Sequence, residues 1–283
     1  MKNQDTLLII DGHNLLFQMF YGMPNRIVNR QGKAIQGVIG FVGALRKIIK
    51  QTKPTHLLVL FDGEHENPRT ELLPEYKGNR IDYSQVEEED NPFSQLEDVY
   101  RALDAMGIRH CETENVETDD VIASYAYKYG KDMKIVISSW DSDFFQLIRE
   151  NVRVLRYRGK GTCICDRAYI NEKFGIEPEL YADFKSLVGD TADNIRGAQK
   201  VGPKTAAQLL EQFGSLEQVL EKAELISKNH IRQSILQDRD RLRINYQLIC
   251  LKDSAVVPFT IDELEYNCQD RKTNDILTEI NLL

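Results

Sequence analysis

No run of apolar residues in this chain approaches the ~18 that a membrane-spanning helix requires. The first, Leu7 to Ile10, is broken at once by Asp11. With no leader-like stretch after Met1-Lys2-Asn3-Gln4-Asp5, the expectation is a cytoplasmic protein with no membrane partner. Cysteine is scarce and odd in number. Cys111, Cys163, Cys165, Cys250 and Cys268 make no disulfide framework, and Cys163 with Cys165 lacks the two-residue gap of a zinc knuckle, so reduced thiols are expected. A positive balance is also lacking: the net charge of −8 argues at first against a nucleic-acid partner. It decides little, because if nine carboxylates named below form one metal site, 35 of the 44 acids remain against 36 Lys and Arg, and local basic patches stay open. What is present is 283 residues with 42% hydrophobic content, enough for a substantial core and two domains.

Apolar runs that end in Asp-Gly organise the first half. Leu7 to Ile10 leads to Asp11-Gly12, and His56 to Phe61 leads to Asp62-Gly63. Lys134 to Ser139 leads to Trp140-Asp141-Ser142-Asp143. Such runs read as buried parallel strands delivering carboxylates to their C-terminal edge. Helices are expected over 36–50, 96–106 and 144–149, and further strands over 108–111 and 151–157. Gly37, Gly40 and Gly43 read as close helix packing. The polar stretch 64–92, with Arg69, Lys77 and Arg80 before Glu87-Glu88-Glu89-Asp90, is either a disordered surface loop or an arch whose basic residues meet a polyanion. After Asn171 the β signals fade, and 180–188, 204–213 and 215–251 read as helical; 255–283 gives no functional reading. The fold class is therefore α/β: a mostly parallel central sheet flanked by helices over 1–172, and a helical domain over 173–283.

The stretch Glu117-Thr118-Asp119-Asp120 places three carboxylates in the first turn of a helix. Helix N-termini favour one or two acids by ~0.3–1 kcal/mol, but three side by side repel unless something positive lies among them. The acids at strand ends and adjoining turns are Asp11, Asp62, Glu117, Asp119, Asp120, Asp141, Asp143, Asp190 and Asp193. A pocket of carboxylates selects hard cations, Mg²⁺ or Mn²⁺. The five histidines fall at none of these positions, which points away from zinc. Two ions ~3.5–4 Å apart suit phosphodiester hydrolysis, one lowering the pKa of an attacking water and the other stabilising the leaving oxygen.

Gly197 to Thr205 nearly matches a phosphate-binding loop of ATPases, two glycines five apart followed by Lys and Thr. Pro203 between Gly202 and Lys204 displaces the lysine, and a helix rather than a strand precedes it. The better reading is a helix-hairpin-helix type turn. Gly202 permits close approach to a phosphate, Pro203 starts the next helix, and its first amides with Lys204 and Thr205 grip a nucleic-acid backbone without reading sequence.

With these residues assembled, the chain resembles the 5′ nuclease family: the 5′ to 3′ exonuclease domain of bacterial DNA polymerase I and the stand-alone bacterial and phage flap endonucleases. The resemblance rests on IIDG at 9–12, FDG at 61–63, LPEYKGNR at 73–80, ETDDVIA at 117–123, ISSWDSDFFQL at 137–147, LVGDTADNIRG at 187–197 and VGPKTAAQLL at 201–210. No polymerase portion fits in the remainder, so a stand-alone member is expected. The resemblance implies metal-dependent cleavage of 5′ flaps and 5′ ends of DNA, in replication or repair. It implies Asp11, Glu117, Asp119 and Asp120 on a first metal, Asp141 and Asp143 between two sites, Asp190 and Asp193 on a second, and Asp62 in the same cluster. Asp120 is thereby a catalytic acid. Lys77 and Arg80 take the basic positions at the base of a helical arch over 64–92, Lys77 on the scissile phosphate. It further implies a helix-three-turn-helix over Lys200, Val201, Gly202, Pro203, Lys204 and Thr205 on DNA. A K⁺ ion is implied on the backbone carbonyls of Leu187, Val188, Arg196, Ala198 and Val201. Trp140, Ser142, Gln18 and Arg196 depart from the polymerase-type pattern, and Trp140 reads as packing beneath the site.

A monomer acting on flapped or branched DNA is thus expected. The competing readings are a non-catalytic junction binder, which has no physical reason to keep mutually repelling acids, and a metal-dependent ribonuclease acting on RNA primers.

Overall fold

The computed structural model describes residues 4–63, 69–267 and 270–283. Its central strand is β1 (Thr6–Asp11), where Leu7, Leu8, Ile9 and Ile10 have no exposed surface because both faces of the sheet are covered. Next come α1 (Gly12–Gly22), α2 (Gln36–Thr52), β2 (His56–Asp62), the single turn α3 (Arg69–Leu72), α4 (Leu96–Ala105) and β3 (Arg109–Thr113). Then follow α5 (Thr118–Tyr129), β4 (Lys134–Ser138), β5 (Val152–Arg156) and β6 (Cys163–Cys165). The strands pair in the order β3-β2-β1-β4-β5-β6, all parallel except β6. The order reverses between β1 and β4, so their carboxyl ends open a crevice. Register aligns Ile10 with both Val59 and Ser138, which brings the strand ends, and the acids they carry, to one edge.

Alternate residues feed two cores, as the twofold period of a strand requires. Leu7, Ile9, Leu58, Leu60, Ile135 and Ile137 pack with α5, whereas Leu8, Ile10, Leu57, Val59 and Phe61 pack with α1, α2 and α4. At Gly40 a Cβ would lie 2.8 Å from the Met19 Cβ, and at Gly37 3.2 Å from Leu16 and Phe20. These two glycines let α2 approach α1, as their spacing suggested; Gly43 meets nothing within 4 Å and has no such part.

The chain continues through α6 (Arg167–Phe174), α7 (Tyr181–Val188), a hairpin of β7 (Gly189–Asp190) and β8 (Ile195–Arg196), then α8 (Pro203–Phe213), α9 (Leu216–Glu221), α10 (Asn229–Ile249) and α11 (Thr273–Glu279). Several expectations change. The helix over 144–149 is a 3₁₀ turn at Asp143–Leu147, and the antiparallel edge strand β6 was not foreseen. The stretch 215–251 is helical as expected, divided into α9 and α10 with a 3₁₀ turn at Ala223–Leu225 between them. Of the polar stretch 64–92, residues 64–68 lie outside the described residues. From Arg69 onward it forms α3 and short 3₁₀ turns, with Tyr83 and Phe93 packed edge-on against Phe17 of α1. The unit expected over 173–283 is helical to Ile249, and then the chain returns to the sheet. Phe259 C=O accepts the Tyr125 hydroxyl at 2.8 Å, Glu265 bridges His56, and α11 buries Ile276 and Leu277 beside α2 and α4. Among the described residues no helix is long and apolar enough to cross a membrane, and Cys111, Cys163, Cys165 and Cys250 are free thiols. Cys268 lies outside the described residues.

Candidate metal-dependent active site

Four of the nine acids line one cleft of about 1440 Å³ above the β1–β4 crevice: Asp11, Asp62, Asp119 and Asp141. Asp11 ends β1 and caps α1, accepting the Asn14 N–H at 3.2 Å and the Ser139 hydroxyl at 2.7 Å. Asp62 ends β2 and accepts the Thr118 N–H at 3.0 Å, so it orients the start of α5 that carries Asp119. Asp141 accepts the Asp143 N–H at 2.8 Å. His13 joins this wall, its Nδ1 4.0 Å from Asp62, and burial pulls its pKa below the usual histidine value. The histidines are therefore not all remote from the acids, although a neutral His13 beside Asp62 is one contact, not a zinc set.

The crowding shows in proton affinity. Burial, with Asp62 and Asp141 adding to it, pushes Asp11 up to about 7 despite its hydrogen bonds from Ser139 and Asn14. Burial and then Asp141, Asp62 and Asp11 raise Asp119 well above the carboxylate range against the opposing pull of Lys77. The folded, metal-free protein therefore holds protons that the unfolded chain, with carboxylates near ~4, has released. That stabilisation is complete below about pH 4 and is lost as the pH rises through about 7. In chelator, the Tm should be higher at pH 5.5 than at pH 8, and Mg²⁺ should narrow the gap by replacing the protons; a Tm that climbs between these pH values in chelator would contradict the crowding.

Asp143, Asp190 and Asp193 form a second group, with carboxylate oxygens within 4.8 Å of one another. They come from the turn after β4 and from the β7 hairpin, and Lys185 of α7 closes on them, its ammonium bonded to Asp143 and Asp190. Burial would pull the Lys185 pKa down, but Asp143, Asp141 and Asp190 outweigh it and keep the ammonium charged. A cation already sits among these oxygens. An all-carboxylate donor set that gathers a cation fits a hard divalent ion, as do the mutually repelling acids of the cleft.

Glu117 and Asp120 face elsewhere. Buried Arg69 pairs with Glu117 and donates from one nitrogen to both Asp120 oxygens at 3.0 and 3.2 Å, while the Lys252 N–H reaches Asp120 at 2.8 Å. Lys77 Nζ lies 2.6 Å from Glu117, and Arg80 2.8 Å from Asp193. The basic residues of the polar stretch thus rest on the acids themselves. The nine acids share one edge of the sheet but divide into a cleft set, a triad and an Arg69-bound pair.

The turn before α8 has the local backbone expected of Gly202-Pro203. Gly202 is extended and exposed with open space around it, Pro203 is the first residue of α8, and Lys200, Lys204 and part of Thr205 face solvent; Val201 is buried. The side-chain-free cap leaves the first α8 amides without a capping group. Of the carbonyls expected to hold K⁺, those of Leu187, Arg196 and Ala198 accept the Ala198 N–H at 2.9 Å, the Asn245 side-chain amide at 2.9 Å and the Val201 N–H at 3.1 Å. Gly197 packs where a Cβ would lie 2.3 Å from Val188 O, so the two segments are in contact.

Arg69 and Lys185 were missed as site residues. Lys185 carried a signal: Tyr181 four residues before it and Val188 three after place it on the buried stripe of its helix, where an unpaired lysine does not belong. Arg69 carried none beyond its charge. Trp140 does not pack beneath the site; it is 37% exposed and lines the cleft.

Comparison with known proteins agrees with this fold. The family model described as 5′-3′ exonuclease, N-terminal resolvase-like domain, matches residues 6–175, and that described as 5′-3′ exonuclease, C-terminal SAM fold, matches residues 176–272. A DNA polymerase I of Rhizobium leguminosarum is 35% identical over 275 residues, covering 93% of this chain and 26% of that protein. The DNA polymerase I of Bacillus subtilis is 32% identical, over 96% of this chain and 31% of its own length. The chain spans under a third of the length of these curated relatives. Among solved structures, bacteriophage T5 5′-exonuclease with divalent metal ions (zinc) bound is similar with a TM-score of 0.74 at 24% identity, covering 96% of this chain and 98% of that one.

Proposed function

The chain belongs to the 5′-3′ exonuclease family, and from that premise we propose that it cleaves DNA at 5′ flaps and 5′ ends with two divalent ions, Mg²⁺ or Mn²⁺, in replication or repair. A metal-dependent 5′ nuclease acting on DNA is what membership carries. The observation that supports the finer reading is the meeting of two oxygen-donor groups at the open edge of one sheet: Asp11, Asp62, Asp119 and Asp141 in the cleft and the Asp143, Asp190 and Asp193 triad beside it. Divalent ions, when bound, lower the pKa of an attacking water and stabilise the leaving oxygen. Asp11, Glu117, Asp119 and Asp120 are assigned to the first ion, Asp141 and Asp143 to positions between the two, and Asp190 and Asp193 to the second, with Asp62 in the same cluster.

The chain's own residues do the rest. Lys77 and Arg80, lodged on Glu117 and Asp193, are the cations that turn to the scissile phosphate when the substrate's charge arrives. Glu117 and Asp120 reach an ion only as Arg69 withdraws. The hairpin Lys200 to Thr205 grips the duplex backbone, with K⁺ on the carbonyls of Leu187, Val188, Arg196, Ala198 and Val201 adding a fixed charge there. The protein works as a monomer, divided into a nuclease unit over 1–172 with its arch at 64–92 and a DNA-gripping unit from 173.

Cleavage of a 5′-labelled flap duplex tests this, with Mg²⁺, Mn²⁺ or chelator, against a 3′ flap, a single strand and an RNA-flapped duplex. A flap-length fragment released only with metal and only from the 5′ DNA flap is the expected result. Tight binding without cleavage in either metal would make the chain a junction binder, and preference for the RNA flap would make it a primer ribonuclease.

A further inference from the structure

We propose that Trp140 is a stacking platform for an unpaired base at the lip of the carboxylate cleft. The inference deepens the nuclease reading and rests on it. Trp140 is the only tryptophan of the chain and belongs to none of the apolar clusters among the described residues. A tryptophan kept for packing would be buried; this one is 37% exposed and lines the cleft beside Asp141. Nor is it loose. Its indole N–H donates to Tyr157 C=O at 2.9 Å, its backbone N–H to Asn14 Oδ1 at 3.0 Å, and its own C=O accepts Arg156 at 2.8 Å. The Arg156 guanidinium lies 5.5 Å from the ring centroid. The polar edge of the indole is thus satisfied by protein and the ring is held in one orientation before any ligand arrives.

The chemistry of the cleft says what such a plane would take. Acids line its floor, so phosphates are drawn instead to Lys77 and Arg80 at the same opening. A neutral aromatic plane next to Asp141 offers nothing to a phosphate and much to the π face of a base. Phe17, Tyr21, Tyr83 and Phe93, an edge-to-face group with ring centroids 5.2–6.2 Å apart, line the same cleft. Stacking accepts any base, which suits binding that reads shape rather than sequence. A base reaches the platform only where it is unpaired, so Trp140 favours DNA with a free 5′ strand over blunt duplex.

Because Trp140 is the sole tryptophan, its emission reports the contact directly. With chelator present, the protein is titrated with a 5′-flap duplex and with a blunt duplex of equal paired length, and binding is followed independently by anisotropy of a dye at the far duplex end. Emission should be quenched by the flap and little changed by the blunt duplex. Trp140→Ala should weaken flap binding about tenfold and leave blunt-duplex binding unaltered, with Trp140→Phe recovering most of the loss. Saturated flap binding with unchanged emission, or equal flap affinity in Trp140→Ala, overturns the proposal while leaving the nuclease reading intact. Absence of any anisotropy change with either DNA removes the nuclease reading and the platform with it.

Discussion

Replacing Asp141 with Asn should lower the single-turnover rate of flap cleavage by roughly a thousandfold, while flap binding in chelator stays the same or tightens. Asp141 lines the cleft with Asp11, Asp62 and Asp119, and through the Asp143 N–H it is joined to the triad. It also raises the proton affinity of Asp119 and acts on Lys185, so it is the acid felt by both groups. Asn keeps the oxygen that accepts the Asp143 N–H, so the turn after β4 should hold its shape. What is lost is one charge at the position proposed to lie between two ions. Correctly placed ions contribute several kcal/mol to a phosphoryl-type transition state, and ~4 kcal/mol corresponds to about three orders of magnitude in rate. The variant should also let Asp119 titrate nearer the ordinary carboxylate range, because the neighbour that opposes its ionisation is gone. Raising Mg²⁺ restores part of the rate if affinity is what fell, and none if geometry did. A wild-type rate at subsaturating Mg²⁺ would remove Asp141 from the site.

The acids were legible in the sequence because they follow a pattern with a physical cause. Buried parallel strands are continuous apolar runs, and Asp11, Asp62 and Asp141 stand where those runs stop. The hairpin was legible for a similar reason, since Gly202-Pro203 marks a helix start without a side-chain cap. Counterions were not. Arg69 meets Asp120 across 51 positions and Lys185 meets Asp143 across 42, and nothing in one stretch of sequence says which cation the fold will bring to it. The edge strand β6 escaped because Cys163-Ile164-Cys165 is too short to show a period, and the Asp143–Leu147 turn because a short 3₁₀ segment shares the apolar content of a helix. The return of the chain to the sheet was written in Ile276, Leu277 and Ile280, a stripe one helical turn long that charged neighbours obscured.

Arg69→Met should destabilise the metal-free protein by ~3–5 kcal/mol, the cost of leaving buried ions without their partner, and Mg²⁺ should return much of that loss. Arg69 is buried, as are Glu117 and Asp120, and it engages both. Met fills a comparable volume without the charge, so the deficit measured by denaturant unfolding in chelator is chiefly electrostatic rather than a cavity. Lys77 still faces Glu117 at 2.6 Å, and the Lys252 N–H still faces Asp120, which keeps the effect below complete unfolding. If Glu117 and Asp120 belong to a metal site, a divalent ion takes the place Arg69 left, and the stability gained from Mg²⁺ should be larger in the variant than in the wild type. If they serve only to anchor α3, Mg²⁺ stabilises both proteins equally. Asp120→Ala separates the same alternatives from the other side. Under the metal assignment it slows cleavage strongly even where Mg²⁺ keeps the protein folded, whereas an anchoring Asp120 would lower the unfolding midpoint and leave the rate of the folded enzyme at the wild-type value. If Mg²⁺ rescues the variant more than the wild type, Arg69 is a resident cation for Glu117 and Asp120, displaced as the ion competes with it for the acids and the DNA phosphate competes with the acids for it.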